Sequence, residues 1–130
     1  MNEPASTPAP ALSLALADRI IALRFEALPR AVVDAAAVGL LDSIGVTLAG
    51  SAEPCAVLVR QTLQVGGLSD GPCTVLGTDL RCGALDAAMM NGVAAHALDF
   101  DDCNNTVGGH PTVPMLPAIL ALAEMRPVSG

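Results

Sequence analysis

No tryptophan and no tyrosine occur in the chain, and Phe25 and Phe100 are its only aromatic hydrophobes. Ala, Leu, Val and Ile must therefore fill any core. Such short side chains suit closely packed helices better than a sheet sandwich, which draws on aromatic and β-branched residues. The spacing agrees. Leu12, Leu16, Ile20 and Leu23 recur at helical steps and predict a helix over 12–25. Pro29 suits the first turn of a second helix over 30–49, striped by Val33, Ala37, Leu40, Leu41, Ile44 and Leu48. Gly50 is placed to end it, and Gly39 and Gly45 to admit a neighbouring helix. Pro54 opens a third helix over 54–65, stopped by Gly66 and Gly67. Cys73 to Leu76 is short and β-branched, which predicts one extended piece or a hairpin near 73–82. Residues 84–98 are nearly all small or apolar and read as a buried fourth helix. A last helix spans 114–125, with Pro117 tolerated in its first turn. The fold class is all-α, with that one short extended piece.

Charge narrows the function. The chain has no Lys, and six Arg stand against thirteen Asp plus Glu, a formal charge of -7. Nucleic-acid binding needs clustered cations and aromatic platforms, and an anionic membrane surface needs cations; neither partner is expected. Mean hydropathy is +0.56 over 130 residues, enough for a single core of ordinary size. No apolar run reads as long enough to cross a bilayer. The apolar stretch 11–17 lacks a basic flank and meets Asp18 and Arg19 at once, unlike a signal peptide. Cys55, Cys73, Cys82 and Cys103 include no C-x-x-C pair and read as reduced thiols of a cytoplasmic protein. Residues 1–10, rich in Pro and Ala, read as a disordered arm, leaving 11–130 as the folded part.

Chemistry is concentrated between His96 and Val113. Three of the nine Asp residues (Asp99, Asp101, Asp102) and both His residues (His96, His110) lie there, between two apolar helices. Mutual repulsion among close carboxylates is one way a carboxylate becomes a proton carrier near neutral pH. Gly108 and Gly109 before His110, and Pro111 after it, present that imidazole rather than burying it. Blander readings stand beside this one. The Asp residues also suit helix capping and loop solvation. His96, on a nearly apolar helix, reads as a buried structural group, and Cys103 as an inert thiol. An EF-hand is excluded by Asn104 at the sixth position and His110 at the twelfth. A carboxylate–imidazole site for Mg, Mn or Fe stays open from the residues alone.

A resemblance ties these segments together. Phe25 to Pro29, Leu41 to Ser51, Thr74 to Gly77, Asn91 to Asp102, Gly109 to Thr112 and Leu116 to Glu124 follow, in order, motifs of the MmgE/PrpD family. The resemblance covers nearly all of the chain from Leu12 onward. It implies part of an all-helical N-terminal domain, without the family's α/β lid. It also implies a homodimer and cofactor-free, metal-free chemistry at the carbon next to a carboxylate in small polycarboxylic acids. The family's members include 2-methylcitrate dehydratase, cis-aconitate decarboxylase and iminodisuccinate epimerase. The resemblance assigns Asp99 and His110 as catalytic. Cys103 and Thr106 are the substrate-binding candidates: Cys103 stands where the family commonly has Thr, and Thr106 offers a hydroxyl in place of the one lost there. The family draws its cationic groups from later in its sequence. The expectation is therefore a truncated lyase or isomerase, needing a completing C-terminal segment and slow alone. The rival reading is a non-catalytic helical interaction or dimerisation module.

Overall fold

The computed structural model describes residues 11–106, 108–126 and 128; the arm expected at 1–10 lies outside them. The described residues form five α-helices and one two-stranded hairpin. The chain divides into two compact units, 1–34 and 35–130.

The first unit holds α1 (Leu12–Ala22) and a 3-10 turn (Phe25–Ala27). The helix expected to reach Phe25 stops earlier because Leu23 and Arg24 turn extended. The Arg24 guanidinium folds back and donates to the carbonyls of Ile21 (3.0 Å) and Leu23 (2.8 Å), serving acceptors the helix end leaves free. The Pro29 carbonyl then accepts from Val32 N–H at 2.9 Å as α2 (Arg30–Gly50) begins. Arg30 pairs with Asp34 one turn on, at 2.9 Å.

In the second unit α2 does not bury its leucine stripe. Its inward face is Ser43, Thr47 and Gly50, while Leu40, Leu41 and Leu48 are exposed. The reason is distance. A methyl group on Gly50 would collide with the Ala94 carbonyl, so only small residues fit where α2 meets α4. Thr47 then satisfies its hydroxyl by donating to the Ser43 carbonyl at 2.6 Å. Gly45, expected as a contact point, has open space beside it. By length and composition α2 is long and apolar enough to cross a membrane, which corrects the expectation that no run was. Its buried small polar face and Asp42 also suit packing against protein.

α3 (Pro54–Gly66) ends where Gly67 takes a φ of 87°. The hairpin pairs β1 (Cys73–Thr74) with β2 (Arg81–Cys82), antiparallel, Cys73 opposite Cys82. α4 (Ala84–His96) packs most extensively against α5 (Leu116–Met125), then α3, and the hairpin closes over both α4 and α5. Cys73, Val75, Cys82, Ala87, Met90 and Ala121 form the core between them, with Val59, Leu63 and Leu80 against it. Burial pushes both core thiols up, so neither is a ready nucleophile.

Polar side chains stitch this seam to the backbone. Buried Asn91 accepts from Leu76 N–H and donates to the Thr74 carbonyl, both at 2.9 Å. Glu124 accepts from Thr74 N–H at 2.7 Å and from its hydroxyl at 3.0 Å. Asp86, in the first turn of α4, accepts from Ser69 N–H and hydroxyl at 2.9 and 2.5 Å. The Ser69 bonds hold the Asp86 carboxyl below the usual range.

Candidate functional site

α4 stops at His96, two residues short of the expected end. Ala97 and Asp99 donate to the Ala94 and His96 carbonyls, both at 3.3 Å, and Asp99 adopts a left-handed φ of 57°. Asp tolerates that region better than most residues. The reversal throws Asp99 outward, 78% exposed, and turns Asp101 inward.

Asp101 is the hinge of the site. Its side chain is 1% exposed and touches both imidazoles. Its two oxygens lie 2.9 and 3.1 Å from His96 Nδ1, and Oδ2 lies 3.3 Å from His110 Nδ1. The Asp101 carbonyl is 3.1 Å from the same His110 nitrogen. The rings meet edge to face, centroids 5.0 Å apart. The hydrogen bond and negative charge of Asp101, with Asp99 adding less, hold the His96 imidazole above its ordinary range. His96 is thus not the buried core group expected: its side chain is 55% exposed. Its neighbours Asn91, Ala94 and Ala95 take the inward face of α4 instead.

Loop closure explains how His110 arrives there. Asp102 accepts from Thr112 N–H (3.1 Å) and from its hydroxyl (2.7 Å). Asn104 and Gly109 bridge antiparallel, with Asn104 N–H on the Gly109 carbonyl at 2.9 Å. Gly108, at a φ of 69°, makes the left-handed step of that turn. The loop so closed carries His110 back over α4, its Nε2 3.5 Å from Asp99 Oδ1.

The cluster forms one wall of a cleft of about 760 Å³ in the second unit. The rest of its lining is mostly apolar: Met89 and Val93 from α4, then Val113, Pro114, Pro117 and Ala118. Cys55 reaches it from the start of α3. Among the described residues no Arg lines the cleft. Arg60 and Arg81 are engaged elsewhere, on the carbonyls of Ser51 and Pro72. Of the four expected site residues the structure brings together His110 and Asp99. Cys103 and Thr106 sit exposed on the turn and do not line the cleft. Asp101 and His96, noted in the sequence as part of the concentrated chemistry but given no catalytic role there, join the site.

Two imidazoles and two carboxylates at such spacing suit proton transfer to and from a bound molecule. His96, Asp99, Asp101 and His110 each also offer a donor atom within 4.8 Å of the others, a set that a divalent ion accepts.

With this geometry established, comparison with known proteins is informative. Residues 14–130 match the MmgE/PrpD N-terminal domain. The chain is 30% identical over 121 residues to the cis-aconitate decarboxylase-like protein oryM of Aspergillus oryzae, covering 93% of this chain and 25% of that protein. It is 37% identical over 89 residues to cis-aconitate decarboxylase of Mus musculus, covering 68% and 18%. The Homo sapiens cis-aconitate decarboxylase is 35% identical over 91 residues, covering 69% and 18%. The chain spans about a quarter or less of the length of these relatives.

Proposed function

The chain belongs to the MmgE/PrpD family, aligned with its N-terminal domain, and on that premise we propose that it supplies the acid–base part of a lyase or isomerase site. The substrate class is small polycarboxylic acids, cis-aconitate or 2-methylcitrate among them. The reaction adds or removes a proton at the carbon next to a carboxylate. The observation that carries this reading is His110, held by the loop against Asp101 and beside Asp99 at the edge of a cleft.

The division of labour follows from chemistry. An imidazole is the side chain best matched to proton transfer near neutral pH. Asp99 is exposed and lies 3.5 Å from His110 Nε2, outside the residues that line the cleft. The apolar wall of Met89, Val93, Val113 and Pro117 suits the carbon skeleton of a small acid and keeps water from it. Charge is the term this stretch leaves out. A polycarboxylate in the cleft meets Asp101 and, among the described residues, no guanidinium. The cationic groups that stabilise the developing anion then come from outside it, from a further segment or a second copy.

The test is a hybrid in which residues 14–130 replace the matching segment of mouse cis-aconitate decarboxylase. The expected result is turnover of cis-aconitate or 2-methylcitrate that disappears with His110→Ala. A folded hybrid without turnover, beside an active parent, contradicts the reading.

A specific observation favours the rival, a non-catalytic interaction module. Leu85, Met89, Ile119 and Leu122 stand 87%, 55%, 58% and 55% exposed on α4 and α5, large apolar side chains of the kind an interface covers. The two readings share an outcome, association of this chain with itself or a partner. They part on turnover in the hybrid.

A further inference from the structure

We propose that Asp101 is the positioning residue of the site: its buried carboxylate fixes both imidazoles as Nδ1–H tautomers and leaves Nε2 of each ring as the proton-accepting atom. The consequence for catalysis rests on the acid–base reading above; the tautomers themselves do not.

The argument is one of donors and acceptors. A neutral imidazole carries its single proton on one nitrogen, and the partner of that nitrogen decides which. His110 Nδ1 faces two groups that only accept, the Asp101 carbonyl at 3.1 Å and the Asp101 carboxylate at 3.3 Å. A bare lone pair there would oppose both oxygens, so Nδ1 carries the proton. His96 Nδ1 faces both carboxylate oxygens, at 2.9 and 3.1 Å, and must donate for the same reason. The other nitrogen of His110 has no comparable demand. Asp99 Oδ1 is 3.5 Å from Nε2, beyond hydrogen-bond reach, and that carboxylate is 78% exposed with water as its alternative.

Burial makes the arrangement decisive. A carboxylate with 1% of its side chain exposed cannot turn to water for partners. A carboxylate in such a place needs donors around it, and the Nδ1 atoms of residues five and nine positions away lie 2.9 and 3.3 Å from its oxygens. Each ring then presents Nε2 on the far side from Asp101. For His110 that nitrogen is the one beside Asp99, where a substrate proton is to be taken or given. Asp101 itself need not touch substrate. In the Ser-His-Asp triad a buried Asp has this orienting duty, and its replacement by Asn reverses the tautomer and lowers kcat about 10⁴-fold with geometry intact.

The experiment exploits a chain with only two histidines. With ¹⁵N on histidine, long-range ¹H–¹⁵N correlation at a pH where both rings are neutral reads which nitrogen bears the proton. His96→Ala and His110→Ala assign the two signals. The expected wild-type pattern is protonated Nδ1 and bare Nε2 on both rings, the opposite of free histidine in water. In Asp101→Leu, which removes both oxygens, His96 loses its acceptor and moves to Nε2–H. His110 retains the backbone carbonyl and shifts only part of the way. An Nε2–H pattern on either wild-type ring overturns the inference, whether or not the Leu variant folds. So does a Leu variant, folded by circular dichroism, in which His96 is unchanged. Because no turnover is involved, the Nδ1–H pattern in a chain whose hybrid is inactive supports the role of Asp101 and counts only against the acid–base reading.

Discussion

The seam between α4 and the hairpin and the loop after α4 use the same kinds of side chain to different ends. In the seam, Asn91, Asp86 and Glu124 each finish on backbone N–H groups, in bonds of 2.9, 2.9 and 2.7 Å. They satisfy the main chain. In the loop, Asp102 does likewise for Thr112, but Asp101, His96 and His110 finish chiefly on one another at the edge of an open cleft. Polar groups that end on backbone hold a fold together. Polar groups that end on each other, with one edge free, keep proton-carrying capacity in reserve.

The sharpest way to break this comparison is to remove His110. In the hybrid, His110→Ala is expected to lower kcat about 10²–10⁴-fold, the usual contribution of a general acid or base. The fold should survive, because the ring is partly exposed, its loop is closed separately by Asp102 and Asn104, and the buried Asp101 keeps its closer donor, His96. Steady-state kinetics beside a thermal melt checks both halves. A seam residue should behave in the opposite way. Asn91→Ala orphans the Leu76 N–H and Thr74 carbonyl and is expected to cost about 2–3 kcal/mol, with a melting point lower by roughly 10 °C. Calorimetry or denaturant unfolding of this chain measures it.

Smaller effects sharpen the contrast. Asp86→Ala removes two bonds to a part-exposed loop and is expected to cost about 1 kcal/mol. Because the Asp86 carboxyl is held below its ordinary value, its contribution is present above the unfolded pKa and fades as pH falls through the folded one. His96 runs the other way. Its imidazole is held above its ordinary value, so the stabilisation by Asp101 is full below the unfolded pKa and is lost as pH rises through the folded one. Unfolding midpoints from acid to mildly alkaline pH should lose the basic-side slope in His96→Ala and the acid-side slope in Asp86→Ala.

Much of this was legible in the residues. Apolar spacing located every helix within a few positions, and the β-branched step at Cys73 to Leu76 marked the hairpin. Spacing misjudged faces more than elements. It assigned the leucines of α2 to the interior, whereas the close approach at Gly50 admits only Ser43 and Thr47. It gave His96 to the core because its helix is apolar, although the inward positions belong to Asn91, Ala94 and Ala95. The role of Asp101 was hidden for a different reason. Burying a carboxylate depends on donors that arrive only when the chain reverses at Asp99 and again at Gly108. The family motif pointed to Asp99 and His110, and the structure does bring them together.

One measurement bears on the central claim most directly: kcat and melting temperature determined together for His110→Ala and Asn91→Ala in the same hybrid. The account predicts that His110→Ala loses at least about 10²-fold in kcat with little change in melting. It predicts that Asn91→Ala melts earlier while the folded fraction turns over normally. If His110→Ala instead melts early with its kcat preserved, while Asn91→Ala stays stable and inactive, the loop is scaffold and the seam is the site.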